Sequence, residues 1–402
     1  MDTNALVASL FLWAGSATRA ANVVGAWLLT YAVHSTVLLL AAWWLVSVRR
    51  LRWSPAAQHA IWSTAIVAGI VTATVQVASP TPSAGGALQL AEAGRHTVAA
   101  VQVTQRANGT PLPQRLAGMA PFDLPAGSAR RMPNASQASF RMMVFTVTRA
   151  MIGVAVWGGV AFALLAHLAL ARRRLHLLLA ARADASGSLA AAALRHLAER
   201  AGVRRPIVLS TSDALPAPAA ISSDEIVLPT RALHALTLAE QEGVLAHELA
   251  HVVRRDTRWL RLAMWIERLA WFQPLNRVAR RQMQLSAEFA ADAWAVRVTR
   301  QPVTLAQALA RVASWLAADP SSRSRASAAF APGADGSPLV ERVRRLTAPT
   351  PERDGLGGGA ACSAMLVAAS CALALLPRVD VAPLRKAEFA RDERFEIRLS
   401  ES

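Results

Sequence analysis

The sequence predicts an α-helical integral membrane protein with four transmembrane helices and a mainly helical, α+β folded domain before the last of them. The chain has 402 residues, of which 53% are hydrophobic and only 17% charged, whereas soluble domains average about 25% charged residues. Four apolar stretches are long enough to cross a bilayer. Residues 171–358 differ from them because they combine charged residues with regular helical and strand patterns.

The predicted spans are residues 23–47, 60–79, 143–170 and 359–377. Each approaches or exceeds the roughly 20 apolar residues that cover about 30 Å of hydrocarbon. The N-terminal segment, residues 1–79, therefore holds two spans. Cys362 and Cys371 both fall in the fourth span, so we interpret them as small apolar residues and exclude a disulfide scaffold.

Arginine clusters predict the orientation of the spans. Arg49, Arg50 and Arg52 follow the first span, and residues 172–174, all arginine, follow the third. Positive residues near the ends of spans favour the cytoplasmic side. We therefore expect a multi-pass protein of the inner (plasma) membrane with residues 171–358 in the cytoplasm. Residues 80–142, which are rich in Pro, Gly, Ala and Ser, are expected to form a flexible outer loop, and residues 378–402 a short outer tail.

The domain at 171–358 shows helical and strand signals in turn. Leu and Ala spacing predicts a helix over 189–202 that stops at Gly202. Two β-rich runs, 206–210 and 225–228, suggest a small antiparallel pair. From there the pattern stays helical to about Leu316.

Residues 247–251 read His-Glu-Leu-Ala-His and carry the chemistry. Thr237 and Glu240 form a possible capping box for the surrounding helix. Residues four apart share a helix face, so His247 and His251 can bind one zinc ion while Glu248 serves as general base towards a water. The alternative is that this string is a solvated stretch of an ordinary helix.

A catalytic zinc site needs a third protein ligand, which a second helix can supply. Residues 276–298 have helical spacing and contain Glu288 and Asp292 on one face. Either carboxylate could bind the metal while the other accepts the N–H of a ligating histidine. A surface carboxylate is the alternative for Asp292. The remaining histidines lack ligand spacing and are interpreted as structural: His34, His59, His96, His167, His176, His196 and His234.

The chain resembles the integral-membrane metallopeptidases of the BlaR/MecR type, the antirepressor family that transduces beta-lactam signals. The likeness includes SPAAQHAIW, IVLP, HELAHVVRRDTRW, WFQPLNRVARRQMQLSAEFAADAWA and ERVRRL. It implies a zincin-like cytoplasmic protease domain. It also implies zinc ligands His247, His251 and Glu288, with Glu248 as catalytic acid/base. The implied substrate is a protein, typically a cytoplasmic transcriptional repressor or the transducer itself.

The penicillin-binding sensor of the best-known members is not expected in this chain. Acylation of that sensor needs Ser-x-x-Lys and Lys-Thr-Gly motifs. Lys386 is the only lysine, with Pro383 three residues before it and Ala387 after it. Neither motif can therefore exist here, and we do not expect direct beta-lactam sensing.

Two other membrane proteases fit the sequence less well. Proteases of the HtpX type share the zinc motif but place two spans between the second histidine and the glutamate. Residues 252–287 contain Arg261, Glu267 and Arg268, so no span fits there. An intramembrane site-two protease is disfavoured because charged residues, which are costly in hydrocarbon, flank the motif: Glu240, Glu242, Arg254, Arg255 and Asp256.

Two non-enzymatic roles also fit the sequence less well. The net charge of +17 suits anionic lipid or nucleic acid, but no DNA-binding motif or aromatic stacking platform is present, so we do not expect direct nucleic-acid binding. A zinc site kept only for structure would not need Glu248.

Trp259, Trp265 and Trp271 lie in an amphipathic segment, for which we expect core packing, with docking on the membrane surface as the alternative.

Overall fold

The computed structural model describes residues 3–48, 53–79, 84–90, 135–318, 336–348 and 356–381. The chain divides into two compact units. One comprises Met1–Asn22, Gln89–Gly153 and Val381–Ser402, and the other comprises Val23–Leu88 and Val154–Asp380. The larger second unit contains every residue of the candidate site. Most of the predicted outer loop and tail lies outside the described residues.

The described part of the chain is mostly helical, as predicted. Its helices are α1 (Thr3–Ser47), α2 (Pro55–Ala78), α3 (Ala135–Leu178), α4 (Leu189–Arg200), α5 (Ala232–Ala235), α6 (Leu238–Arg254), α7 (Asp256–Leu269), α8 (Leu275–Thr299), α9 (Pro302–Ala318), α10 (Gly336–Thr347) and α11 (Gly358–Leu375). Four stretches within them are long and apolar enough to span a membrane, namely Arg19–Ser47, Pro55–Ala78, Met151–Leu178 and Gly358–Leu375. This agrees with the four predicted spans, although the third is shifted towards the arginine cluster.

The strands of the second unit form a four-stranded sheet. They are β2 (Ala183–Asp184), β3 (Val208–Thr211), β4 (Ala219–Ala220) and β5 (Glu225–Leu228), in the order β2-β3-β5-β4. The predicted antiparallel pairing of 206–210 with 225–228 is wrong, because β3 and β5 run parallel. The antiparallel partner of β5 is the short strand β4, which turns back through residues 222–224. β4 thus takes one side of β5 and leaves the other side to β3.

A further strand pair involves residues predicted to lie outside the membrane. β1 (Ala87–Leu90) and β6 (Arg378–Val381) form a two-stranded sheet. The few described residues of the predicted flexible loop are therefore partly ordered as a strand. The backbone N–H of Arg378 donates to the carbonyl of Gly86 where the two strands meet.

Local signals explain where α4 begins and ends. The Ser188 hydroxyl accepts the N–H of Ala191, as an N-cap should. After the last turn Gly202 adopts φ +68, a left-handed conformation that costs glycine little. The predicted stop at Gly202 is confirmed.

The hydrophobic core of the domain at 171–358 lies between α4, α6 and the sheet. Leu245 and Leu249 of α6 pack with Leu194 of α4 and Ile226 of β5, and all four side chains are almost fully buried. This packing fixes the rotation of α6 about its axis. The histidines of the motif consequently face α8.

The tryptophans between α6 and α8 are not part of a buried core. Trp259, Trp265 and Trp271 are 40%, 54% and 41% exposed, so the expectation of core packing is wrong. Ala263, Ile266 and Glu267 occupy the buried face of α7 instead. Amphipathic spacing established that one face is buried but not which one.

Helices α7 and α8 pack directly against the candidate spans. The amide of Asn276 donates to the Tyr31 hydroxyl, and the Gln273 amide donates to the hydroxyls of Ser35 and Thr36 on α1. The Trp157 indole of α3 donates to the carbonyl of Leu269. These bonds attach α8 and the ends of the α7–α8 connection to two of the candidate spans.

Candidate metal centre

The motif helix α6 begins with the predicted capping box. The Thr237 hydroxyl accepts the N–H of Glu240, and the Glu240 carboxylate accepts the N–H of Thr237. The helix ends at Arg255, a non-glycine residue with φ 60. That left-handed residue reverses the chain, so that α7 starts at once with Asp256 beside the last turn of α6.

Three side chains converge between α6 and α8. The Nε2 atoms of His247 and His251 lie 3.2 Å apart. Glu288 of α8 approaches them with Oε2 3.4 Å from His247 Nε2 and Oε1 3.8 Å from His251 Nε2. One ligand atom from each of the three residues lies within 4.8 Å of the other two, so the group could hold a metal ion.

The geometry of this group fits a zinc ion. Two nitrogen ligands at about 2.0–2.1 Å from a tetrahedral zinc would lie about 3.3 Å apart, close to the observed 3.2 Å. Two imidazoles and one carboxylate are also a ligand set found in catalytic zinc sites, where a fourth position stays open. Within the described residues, no other histidine joins the group. His96 lies outside them.

Each histidine is oriented by a carboxylate behind it. Asp292 Oδ1 lies 2.9 Å from Nδ1 of His247, and Asp256 Oδ2 lies 2.9 Å from Nδ1 of His251. A carboxylate that accepts the Nδ1 proton leaves the Nε2 lone pair free for a metal. Asp292 thus has the position expected from the sequence, one helical turn after Glu288.

Asp256 was not identified as a site residue from the sequence. It follows His251 by five residues, a spacing that would place it on another face of a continuous helix. Only the left-handed turn at Arg255 brings it back to the imidazole. Asp256 is almost fully buried and also accepts a hydrogen bond from Arg254. The available signal was its position in the HELAHVVRRDTRW stretch.

Arg342 of α10 also belongs to the site and was likewise missed. Its Nε and Nη2 donate to the two oxygens of Asp292 at 2.7 and 2.8 Å, and its Nη1 lies 2.9 Å from Glu288 Oε2. Such a two-point contact fixes the plane of the carboxylate. The sequence signal was the ERVRRL stretch, but its distance from the motif along the chain gave no reason to place it there.

The charged side chains around the ligand group shift one another's pKa. Burial alone would raise the pKa of the Glu288 and Asp292 carboxyls, but Arg342 and His247 lower both. Burial alone would lower the pKa of His247, but its hydrogen bonds to Asp292 and Glu288 raise it to about 10. The two carboxylates therefore stay ionised and favour positive charge between α6 and α8.

Glu248 lies beside the ligand group rather than in it. Its Oε2 accepts the backbone N–H of Ala220 in β4 at 2.9 Å, and the side chain is buried. β4 lies at the edge of the four-stranded sheet. The carboxylate is therefore held between the motif helix and an edge strand, where an extended peptide could approach.

The structure thus places the predicted site residues together. His247, His251 and Glu288 form the ligand group, Asp292 lies behind His247, and Glu248 faces β4. His34 and His59 are buried in the first two candidate spans and lie outside the group.

Comparison with known proteins gives one family. The sequence model of the BlaR1 peptidase M56 family matches residues 26–309, more than half of the chain. The matched region contains most of the first candidate span, all of the second and third, and the helices α6 and α8, and it stops before α10. No curated protein matches the chain.

Proposed function

The chain belongs to the BlaR1 peptidase M56 family and is a membrane metallopeptidase, and on that premise we propose that it is a regulatory zinc endopeptidase that cleaves a cytoplasmic transcriptional repressor. The coarse activity follows from the family. The metal, the site residues and the substrate class are the parts that we propose.

One observation carries the proposal. The Nε2 atoms of His247 and His251 and an oxygen of Glu288 lie close enough together to share one metal ion, while both Nδ1 atoms contact carboxylates. A histidine pair used only for packing has no need of two buried carboxylates, whose desolvation is costly. The same arrangement is the usual support of a metal-binding imidazole.

We assign His247, His251 and Glu288 as the residues that would hold zinc. When bound, zinc would supply Lewis acidity, polarising the scissile carbonyl and acidifying a water molecule. Glu248 would accept the proton of the attacking water and deliver it to the leaving amine. Its bond to the Ala220 N–H keeps the carboxylate at the edge strand.

The edge strand β4 offers a docking place for the substrate. Among the described residues β4 pairs only with β5. An extended peptide can add to such an edge through main-chain hydrogen bonds. A peptide bound there would run past Glu248, so we propose that a flexible segment of the substrate binds as an additional strand.

The arginine clusters support a cytoplasmic substrate. Arg172, Arg173 and Arg174 lie near the end of the third candidate span, directly before the protease domain. The positive-inside rule would place that end in the cytoplasm. A repressor is therefore within reach of the site, and the family resemblance favours this class of substrate.

The test is a profile of new protein N-termini in host cells. Cells that express the wild-type chain are compared with cells that express His251→Ala, and His196→Ala, an exposed histidine of α4, serves as the matched control. We expect new termini from a DNA-binding protein in the wild-type and His196→Ala cells only. Termini drawn from many membrane proteins would favour a quality-control protease of the HtpX type. Identical profiles in all three strains would contradict the proposed proteolysis.

A further inference from the structure

A cationic groove lies between α3 and α7, away from the metal centre. Its lining residues are Arg172, Arg258, Arg261, Leu262 and Trp265, and its volume is about 360 Å³. Three of these side chains are guanidinium groups and two are apolar, and along α7 Arg258 and Arg261 come before Leu262 and Trp265. The groove therefore offers both positive charge and an apolar wall.

The three arginines of this groove carry charge that the described residues do not neutralise. The charged neighbours of Arg261 are Arg172 and Arg258, both of like sign. The ion pairs among the described residues use other arginines. The Arg261 Nε donates to the carbonyl of Thr257, which carries no net charge. Three cations gathered in this way repel one another unless an anion lies between them.

The groove lies near the C-terminal end of the third candidate span. Arg172 is in the last turns of Met151–Leu178. Trp157, fifteen residues earlier on the same helix, donates to the carbonyl of Leu269 at the other end of α7. Helix α7 therefore runs beside the span from its arginine-rich end towards its middle.

This alignment places the apolar residues of the groove farther from the arginine-rich end of the span than its arginines. Along α7, Leu262 and Trp265 lie between Arg261 and Leu269, on the side towards Trp157 of α3. They are 43% and 54% exposed, and Trp259 on the same face is 40% exposed. An exposed apolar stripe next to a membrane span is suited to contact with acyl chains.

We propose that this groove binds one anionic phospholipid, with its phosphate between Arg172, Arg258 and Arg261 and its acyl chains along Leu262 and Trp265. The charge balance favours a headgroup such as phosphatidylglycerol, because a choline or ethanolamine headgroup would add a cation to three existing ones. The apolar wall favours a lipid over a free phosphate or a nucleic acid, since neither of those has an acyl chain to lie along Leu262 and Trp265.

Native mass spectrometry of the purified full-length protein tests this site. The protein is titrated with phosphatidylglycerol and, separately, with phosphatidylcholine carrying the same acyl chains. We expect wild-type protein to retain one phosphatidylglycerol and to bind phosphatidylcholine at least about tenfold more weakly. The triple variant Arg172→Gln, Arg258→Gln, Arg261→Gln should lose about tenfold or more of its affinity for phosphatidylglycerol, because each arginine contributes to attraction of an anionic lipid.

Matched controls separate a built site from general charge. Arg173 and Arg174 are exposed on the same helix end but do not line the groove. The variant Arg173→Gln, Arg174→Gln should retain the lipid, as should Glu248→Gln, because this site does not depend on proteolysis. If the triple variant does not fold, the single variants Arg258→Gln and Trp265→Ala are used, each with an expected loss of severalfold.

Three results would overturn the proposal. Equal retention of lipid by the groove variants and by the Arg173→Gln, Arg174→Gln control would reduce the site to nonspecific attraction. Equal affinity for the two lipids would remove the role of charge. Displacement of phosphatidylglycerol by inorganic phosphate alone would make the groove an anion site without a lipid component.

Discussion

Asp256 Oδ2 lies 2.9 Å from Nδ1 of His251, although Asp256 begins the next helix. The contact depends on the left-handed conformation of Arg255, which ends α6 and starts α7 without a linker. Asp256 orients the second histidine as Asp292 orients the first. The two imidazoles of α6 are therefore oriented by carboxylates from two other helices, α7 and α8.

Replacement of Asp256 should weaken metal binding without removing a ligand. In Asp256→Asn the carboxylate that holds His251 becomes a neutral amide, so the imidazole loses basicity and orientation. Loss of such a partner typically costs 10- to 100-fold in metal affinity. Zinc competition with a chromophoric chelator measures it, with the exposed Asp213→Asn as control. Equal zinc affinity in Asp256→Asn and wild type would remove Asp256 from the site.

Arg342 should be needed for its shape as well as its charge. It contacts both oxygens of Asp292, and lysine cannot reproduce that two-point contact. We expect Arg342→Lys and Arg342→Gln both to lower kcat/KM about 10- to 100-fold, in line with the loss of other partners behind metal ligands. Arg344→Gln on the exposed face of α10 is the control. Full activity of the lysine variant would show that charge alone is sufficient.

The buried ion pair between α7 and α8 should matter for stability. Glu267 and Arg280 contact each other with both side chains almost fully buried, while Arg277, which also contacts Glu267, is 62% exposed. Arg280→Met would leave the carboxylate without its buried partner and should cost about 3–5 kcal/mol, whereas Arg277→Gln should cost about 0–1 kcal/mol.

Thermal unfolding of the solubilised protein compares these variants. The double variant Glu267→Gln, Arg280→Met should recover most of the loss, because no uncompensated charge then remains buried. If the double variant were as unstable as Arg280→Met alone, packing rather than charge would explain the effect.

The orientation of the chain is tested by reporter fusions. A reporter joined after Arg174 should be active in the cytoplasm, and one joined after Gly109 should be active on the outer side, because the arginine clusters favour that arrangement. The reversed pattern would place the protease domain outside and exclude a cytoplasmic repressor as substrate.

The candidate ligand group could be anticipated from helical periodicity, although the choice of Glu288 over Asp292 came from the family resemblance. His247 and His251 are four residues apart on α6, and Glu288 and Asp292 are four apart on α8. Each pair lies on one face once the helix forms. The need for a third ligand then joins the two helices.

The remaining parts of the site depend on tertiary structure, which periodicity does not encode. Arg342 reaches Asp292 only because α10 packs beside α8, and Asp256 reaches His251 only through the turn at Arg255. β3 runs parallel to β5 because the intervening strand β4 is antiparallel to β5, so the chain reverses direction twice between β3 and β5. The exposure of Trp265 has the same kind of origin, since α7 packs through its opposite face.

The central claim is that Glu248 performs proteolysis at a metal held by other residues. Purified Glu248→Gln protein should contain as much zinc as wild type, whereas His247→Ala should lose it. The glutamine keeps the shape of the side chain and an oxygen that can accept the Ala220 N–H, but it cannot accept a proton from water. Cleavage of the cognate protein by Glu248→Gln should therefore fall 10²- to 10⁴-fold. Cleavage at the wild-type rate by the zinc-loaded variant would contradict the mechanism.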